Sequence, residues 1–395
     1  MLTNKNIILV SKDAQLAKNY PPFKDSYYSL PNIEELAKKG TVFCKHYTTA
    51  PSTAMAFTSM FTGKYNFETN RKKYVEVEEN GEKTLFDEMN DYGYDTHIIW
   101  DQSYINLALK YSKCYGKNTI IHNTDFLTHP QKKHVKGKHD DLTYHKDLEE
   151  DCKVKFKALL GDILSTDKKV FVWVHFPHVL SGRNSYGSDL DLFDEMIGII
   201  RSFFDDDAIF ITADHGHMNG FNGKFGYGFD LHNSAIRIPL ITPRISDVDF
   251  VDYNTSNIDL REIIVKSQIP KRDYLVSETA YYMQPHRKIA VIKGKYKYIY
   301  DKLTKKESLF DVDWDPEEKF NLLLTEIYDV DRRGKYSADQ RFFYPFWKDS
   351  FSIIDELRDI KKSIWKKGPW YVELKERIIF RIKMIYQNIV NKFGK

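Results

Sequence analysis

Ala208-Ile209-Phe210-Ile211-Thr212 runs straight into Ala213-Asp214-His215-Gly216-His217, and the fold follows from how this stretch is read. A short run of large apolar side chains, too brief for a helix, is what a strand buried on both faces of a parallel sheet requires. The donors that end it fall where such a strand leaves the sheet. Similar runs stand at Asn6-Ile7-Ile8-Leu9-Val10, which ends in Lys12-Asp13, at Val170-Phe171-Val172-Trp173-Val174-His175, and at Ile238-Pro239-Leu240-Ile241-Thr242. Residues 41–48 and 95–100 read as further strands. Between them, residues 32–39 read as a helix closed by Gly40, Pro51-Ser52-Thr53 opens an apolar helix running to Gly63, and residues 83–92 and 189–204 read as two more. Strands alternating with helices predict an α/β fold, a doubly wound, mostly parallel sheet with helices on both faces.

The expected organisation is a catalytic α/β domain over residues 1–285, a C-terminal subdomain over 286–330 that completes the same fold, and a helical tail over 331–395. Residues 103–150 are polar, contain His122, His129, His134, His139 and His145, and read as an insertion. A chain of 395 residues, 42% apolar and 15% aromatic, has ample material for a large core. Its 59 Lys+Arg against 56 Asp+Glu give no global attraction for nucleic acid. The balance is uneven, however: residues 331–395 carry 16 Lys+Arg and 8 Asp+Glu. In that tail Val372, Ile378, Ile379, Ile382, Ile385, Ile389 and Phe393 follow a helical stripe, suited to peripheral contact with an anionic membrane or to packing on the chain's own domain.

Cys44, Cys114 and Cys152 are widely spaced and form no CxxC pair, so neither a disulfide framework nor a thiolate zinc site is indicated. With no signal-peptide core before Lys12 and no apolar run of membrane-spanning length, the expectation is a cytoplasmic protein, membrane-associated only if the tail makes it so.

Ligands of open α/β sheets sit at the carboxyl ends of strands. There Asp13, Asp214 and His215 supply oxygen and nitrogen donors suited to a divalent cation such as Mn, Mg, Ca or Zn. Each alone is more often a cap, a turn former or a structural histidine. Gly216 lets the backbone pass closely around such a site. Thr53 stands at the start of its helix, where Ser52 or Thr53 could be only an N-cap. The same position suits a nucleophile, since a helix N-terminus favours an alkoxide and an anionic ester.

Taken in order, six segments resemble the sulfatase branch of the alkaline phosphatase superfamily. Asn6 to Ala14 resembles its opening strand, and Ala50-Pro51-Ser52-Thr53-Ala54-Met55-Ala56-Phe57-Thr58-Ser59-Met60-Phe61-Thr62-Gly63 its nucleophile segment. Val174-His175-Phe176-Pro177-His178 resembles the strand ending in a Pro-His pair, Phe210 to Gly216 the second metal-binding strand, and Ile236-Arg237-Ile238-Pro239-Leu240-Ile241 the strand that follows. Tyr296 to Tyr300 together with Ser308 to Leu322, which includes Asp315-Pro316-Glu317-Glu318, resembles the C-terminal subdomain. The resemblance implies the predicted fold and one divalent metal on Asp13, Thr53, Asp214 and His215; no residue set supports a second.

The departures from the family bear on its chemistry. Sulfatases carry Cys or Ser at the position of Thr53, convert it to formylglycine, and follow it with Pro and Arg where this chain has Met55 and Phe57. Threonine cannot become that aldehyde. A threonine nucleophile resembles the family's phosphoethanolamine and phosphoglycerol transferases and phosphodiesterases. The implied function is hydrolysis or transfer of a phosphodiester or substituted phosphate through phospho-threonine, with a glycan or lipid-linked acceptor where the reaction is a transfer. Thr53, His178 and His232 are the catalytic candidates, and His178, His217, Lys224 and His232 the substrate-binding ones. The alternatives are a sulfate-ester hydrolase lacking formylglycine and a catalytically silent binding member of the fold.

Overall fold

The computed structural model describes residues 5–23, 28–69, 71–73, 76–77, 83–101, 115–127, 141–178, 180, 189–281, 284–323 and 347–365. Its main sheet is built from β1 (Ile7–Lys12), β2 (Thr41–Phe43), β3 (Asp95–Asp101), β4 (Ile120–Thr124), β5 (Val170–Phe176), β6 (Ile209–Ala213), β7 (Leu240–Thr242) and β8 (Phe250–Val251). Their order across the sheet is β8-β2-β7-β6-β1-β5-β3-β4. β1 pairs in parallel with β5 and β6, and only β7 runs against its neighbours. Helices α1 (Pro31–Lys39), α2 (Thr53–Thr62), α3 (Leu85–Asp91), α4 (Asp141–Ile163), α5 (Leu190–Arg201), α6 (Asn233–Ile236) and α7 (Leu260–Lys266) flank it. The fold is thus the α/β, mostly parallel architecture expected from the sequence.

The period-2 alternation of a strand divides the core between the two faces. Ile8 and Val10 of β1 point toward α1, α4 and α5, where they meet Leu36, Phe156, Phe193 and Ile197. Leu9 and the neighbouring Trp173 point the other way, onto Phe57, Met60 and Phe61 of α2, Phe86 of α3 and Leu260 of α7. Residues 41–48, expected as one strand, are two short ones, β2 and the bridge-length His46–Tyr47.

Part of the segment 103–150 lies among the described residues. It contributes the edge strand β4 and the start of α4, whose Cys152, Phe156, Leu160 and Ile163 are buried. His129, His134 and His139 lie outside the described residues. Cys44 and Cys152 are in no disulfide among the described residues, and Cys114 lies outside them.

A second, antiparallel sheet comprises β9 (Leu275–Tyr281), β10 (Gln284–Lys293), β11 (Tyr296–Asp301) and β12 (Glu307–Asp311), so it begins ahead of residue 286. It is locked to the α/β body at α6. Buried Lys297 pairs with Glu318 at 2.5 Å and donates to Asn233 Oδ1 at 3.0 Å, while the Asn233 backbone N–H donates to Glu318 at 2.9 Å. In the tail, α8 (Trp347–Ile364) packs Ile354 and Leu357 onto Tyr298 and Leu309 of this sheet. The stripe from Val372 to Phe393 lies outside the described residues. No helix among the described residues is long and apolar enough to cross a membrane.

Candidate active site

Because β1 and β6 are sheet neighbours, the residues that follow them meet at one edge. Asp13 leaves β1 and is tied to β5 by its N–H, which donates to Phe176 O at 2.9 Å. Ala14 then takes a left-handed backbone (φ 58°) and donates its N–H to Asp214 Oδ1 at 3.0 Å. His215 N–H donates to the same oxygen at 2.8 Å. Asp214 Oδ1 is thereby held by two backbone groups, while Asp214 Oδ2 and Asp13 Oδ1 are buried without a hydrogen-bond partner.

The imidazole of His215 completes the group. Its Nδ1 lies 2.9 Å from Gly216 O, and a carbonyl only accepts, so that nitrogen carries the proton. Nε2 therefore presents its lone pair, 3.3 Å from Asp214 Oδ2, 3.6 Å from Asp13 Oδ1 and 3.1 Å from Thr53 Oγ1. A hydrogen bond from the far ring nitrogen that fixes the tautomer in this way is the usual companion of a metal-ligating histidine. The donor atoms of Asp13, Asp214 and His215 all lie within 4.8 Å of one another. Burial and the charge of Asp214 push the Asp13 carboxyl up to about 7, against the pull of His215 and Lys12. Two orphaned carboxylate oxygens and a lone pair converging in a buried cluster fit a divalent cation, which would neutralise them.

Gly216 is there for space. A Cβ on it would lie 2.0 Å from Ser234 O, because its N–H donates across to Ala235 O at 2.9 Å.

Thr53 is the first residue of α2. Ser52 is the N-cap, with an extended backbone, yet its hydroxyl makes no cap bond. Phe57, Met60 and Phe61 anchor the helix, Phe57 packing edge-on against Trp173 and His175 with ring centres at 4.7 and 4.9 Å. Left-handed Gly63 ends it. The anchored helix aims its positive end, and Thr53 with it, at the cluster.

His178, just beyond β5, stacks on His217 with ring centres 5.4 Å apart. Burial, with the nearby charge of Lys12, lowers His178 to about 4, and burial likewise lowers His217. The other two candidates are committed elsewhere. Lys224 pairs with Asp230, which also accepts from Lys288 at 3.0 Å. Burial alone would raise Asp230, but Lys288 and Lys224 hold it well below the usual carboxylate range. His232 caps α6: its Nδ1 accepts from Ser234 N–H at 3.1 Å and its Nε2 donates to Glu317 O at 2.8 Å, facing the C-terminal subdomain.

Several neighbours went unread in the sequence. Tyr227 lays its ring on His215 at 4.5 Å. Buried His175 shares Ser11 Oγ with the indole N–H of Trp173, each at 2.8 Å, and burial lowers it to about 4. Lys12 and Asp189 meet beneath the site. A lysine at an inward position of an apolar strand was the one available signal for that pair.

The sulfatase family model matches residues 5–243 of this chain. Among solved structures, a putative sulfatase from Bacteroides thetaiotaomicron superposes with a TM-score of 0.63 at 14% identity, over 91% of this chain and 92% of that one. The phosphonate monoester hydrolase of Agrobacterium radiobacter gives 0.64 at 14% identity, over 91% and 96%. An enzyme solved with its substrate D-glucosamine-2-N,6-O-disulfate gives 0.64 at 13% identity, over 93% and 99%. Comparison with curated protein sequences finds no match.

Proposed function

Since this chain belongs to the sulfatase family, we propose that it is a metal-dependent enzyme that cleaves or transfers phosphate esters through Thr53. The observation that carries the reading is Thr53 Oγ1 lying 3.1 Å from His215 Nε2 at the N-terminus of α2. Asp13, Asp214 and His215 would hold a divalent cation, which when bound acidifies a hydroxyl and neutralises an anionic ester oxygen. Thr53 supplies the oxygen that attacks phosphorus in line with the leaving alkoxide. Its proton passes to solvent, and the leaving alkoxide takes a proton from water as it departs. The dipole of α2 favours the anionic ester in the pocket. His178 and His217, held neutral, offer ring N–H groups to the ester oxygens. Lys224 and His232, with their partners in place, serve the structure beside the site.

The acceptor is water or a hydroxyl of a glycan or lipid-linked molecule. A sulfate-ester substrate is the second reading, favoured by the family match. Against it, a threonine ester lacks the aldehyde collapse by which formylglycine expels sulfate. A silent binding role accords poorly with two buried, unpartnered carboxylate oxygens beside a hydroxyl. The test is side-by-side turnover of nitrophenyl phosphodiester, phosphate monoester and sulfate, with Mn and with excess chelator. Metal-dependent turnover preferring a phosphate ester is expected. Faster sulfate turnover, or full activity in chelator, would overturn the proposal.

A further inference from the structure

Lys12 and Asp189 form an ion pair from which water is excluded altogether, both side chains being 0% exposed and Lys12 Nζ lying 2.7 Å from Asp189 Oδ2. Removing two ions from water is repaid only by excellent geometry and further hydrogen bonds. An aliphatic residue would serve the core here at no such cost. Strand alternation places Lys12 on the face of Ile8 and Val10, opposite Leu9, Ser11 and Asp13.

The lysine's hydrogen bonds show what it holds. Besides Asp189, Nζ donates to Pro177 O at 3.0 Å and to His178 O at 3.2 Å. Asp189 Oδ2 also accepts the N–H of Leu180 at 2.9 Å, and Asp189 immediately precedes α5. The chain leaving β5 is thus fastened to the residue before Asp13, and Asp13 N–H to Phe176 O is a second tie in the same place.

We infer that the buried Lys12–Asp189 pair is a positioning device that holds His178 over the Asp13, Asp214 and His215 cluster. This rests on the proposed function only in giving His178 its task. Lys12 and Asp189 touch no substrate; they set the backbone from which the His178 ring reaches His217 and the pocket.

The test uses the full chain with Mn and the double variant Lys12→Met/Asp189→Leu, which replaces the pair with apolar side chains. The variant should bind Mn as the wild type does. Its kcat on a nitrophenyl phosphodiester should fall on the order of 10- to 100-fold with KM little changed, the usual consequence of a misplaced group. In a His178→Ala background the double substitution should cost nothing further, whereas a merely structural role would add its own loss. A crystal structure of the variant should show the His178 ring displaced from His217. Unchanged kcat, an additive loss in the His178→Ala background, or a His178 ring still stacked on His217 would overturn the inference. If the wild type shows no Thr53-dependent turnover, the proposed function fails, and the ring position in the variant crystal still decides this inference. Should that variant not fold, Lys12→Gln/Asp189→Asn, neutral and one atom shorter in reach at position 12, is read in the same ways.

Discussion

Asp214 divides its carboxylate between two tasks: Oδ1 is held by the N–H groups of Ala14 and His215, and Oδ2 faces His215 Nε2 at 3.3 Å. The first oxygen makes the second rigid. Asp214→Asn would keep the backbone bonds and remove the charge. It should weaken Mn binding by more than about tenfold, since even outer-shell partners of a metal ligand are worth roughly 10- to 100-fold. Calorimetric titration with Mn checks this, and wild-type affinity in the variant would remove Asp214 from the ligand set.

Ser52 provides the contrast to Thr53. Its hydroxyl is buried, unpartnered and makes no cap bond. Ser52→Ala should therefore change stability by less than the ~1 kcal/mol of a working cap and leave turnover within about twofold, far short of the ~1.4 kcal/mol that a tenfold change would mean. Urea unfolding and steady-state rates measure both.

The seam between the two sheets should be sensitive to half-removal. Lys297→Met leaves Glu318 charged, buried and without its cation. A loss of about 3–5 kcal/mol is expected, most of it recovered in Lys297→Met/Glu318→Leu. Equal stability of the single and double variants in denaturant titrations would contradict this.

Acid should weaken the fold through His46. Burial holds that imidazole down at about 3, against about 6.5 in an unfolded chain. On acidification the unfolded state takes up the proton first, so this contribution is complete above pH 6.5. It is lost as pH falls from 6.5 toward 3, at about 1.4 kcal/mol per unit. His175, lowered to about 4, acts in the same direction. His46→Leu should flatten the stability profile measured between pH 7 and 5; an unchanged slope would count against a neutral, buried His46.

The central strands were legible because their apolar runs are buried on both faces. β4 was not, since Ile120 is exposed at the sheet edge and His122 and Asn123 interrupt the run. α4 hides in a strongly charged segment whose apolar stripe, Cys152, Phe156, Leu160 and Ile163, is narrow. Asp13, Thr53, Asp214 and His215 stood out as candidates because each lies within two residues of a strand's end or opens a helix, where local sequence determines position. His232 and Lys224 looked alike as polar residues in the same loop. Asp230 is only six positions from Lys224, but Glu317 and Lys288 come from tertiary contacts that spacing does not encode. Lys12 and Asp189, 177 positions apart, belong to that same class.

Peptide mapping after rapid quench of the enzyme with Mn and a phosphodiester bears most directly on the central claim. The account predicts a phosphate or substituted phosphate on Thr53, absent from Thr53→Ala, whose kcat should fall by several orders of magnitude. A Thr53→Ala enzyme with near-normal turnover, or a label trapped on another residue, would contradict it.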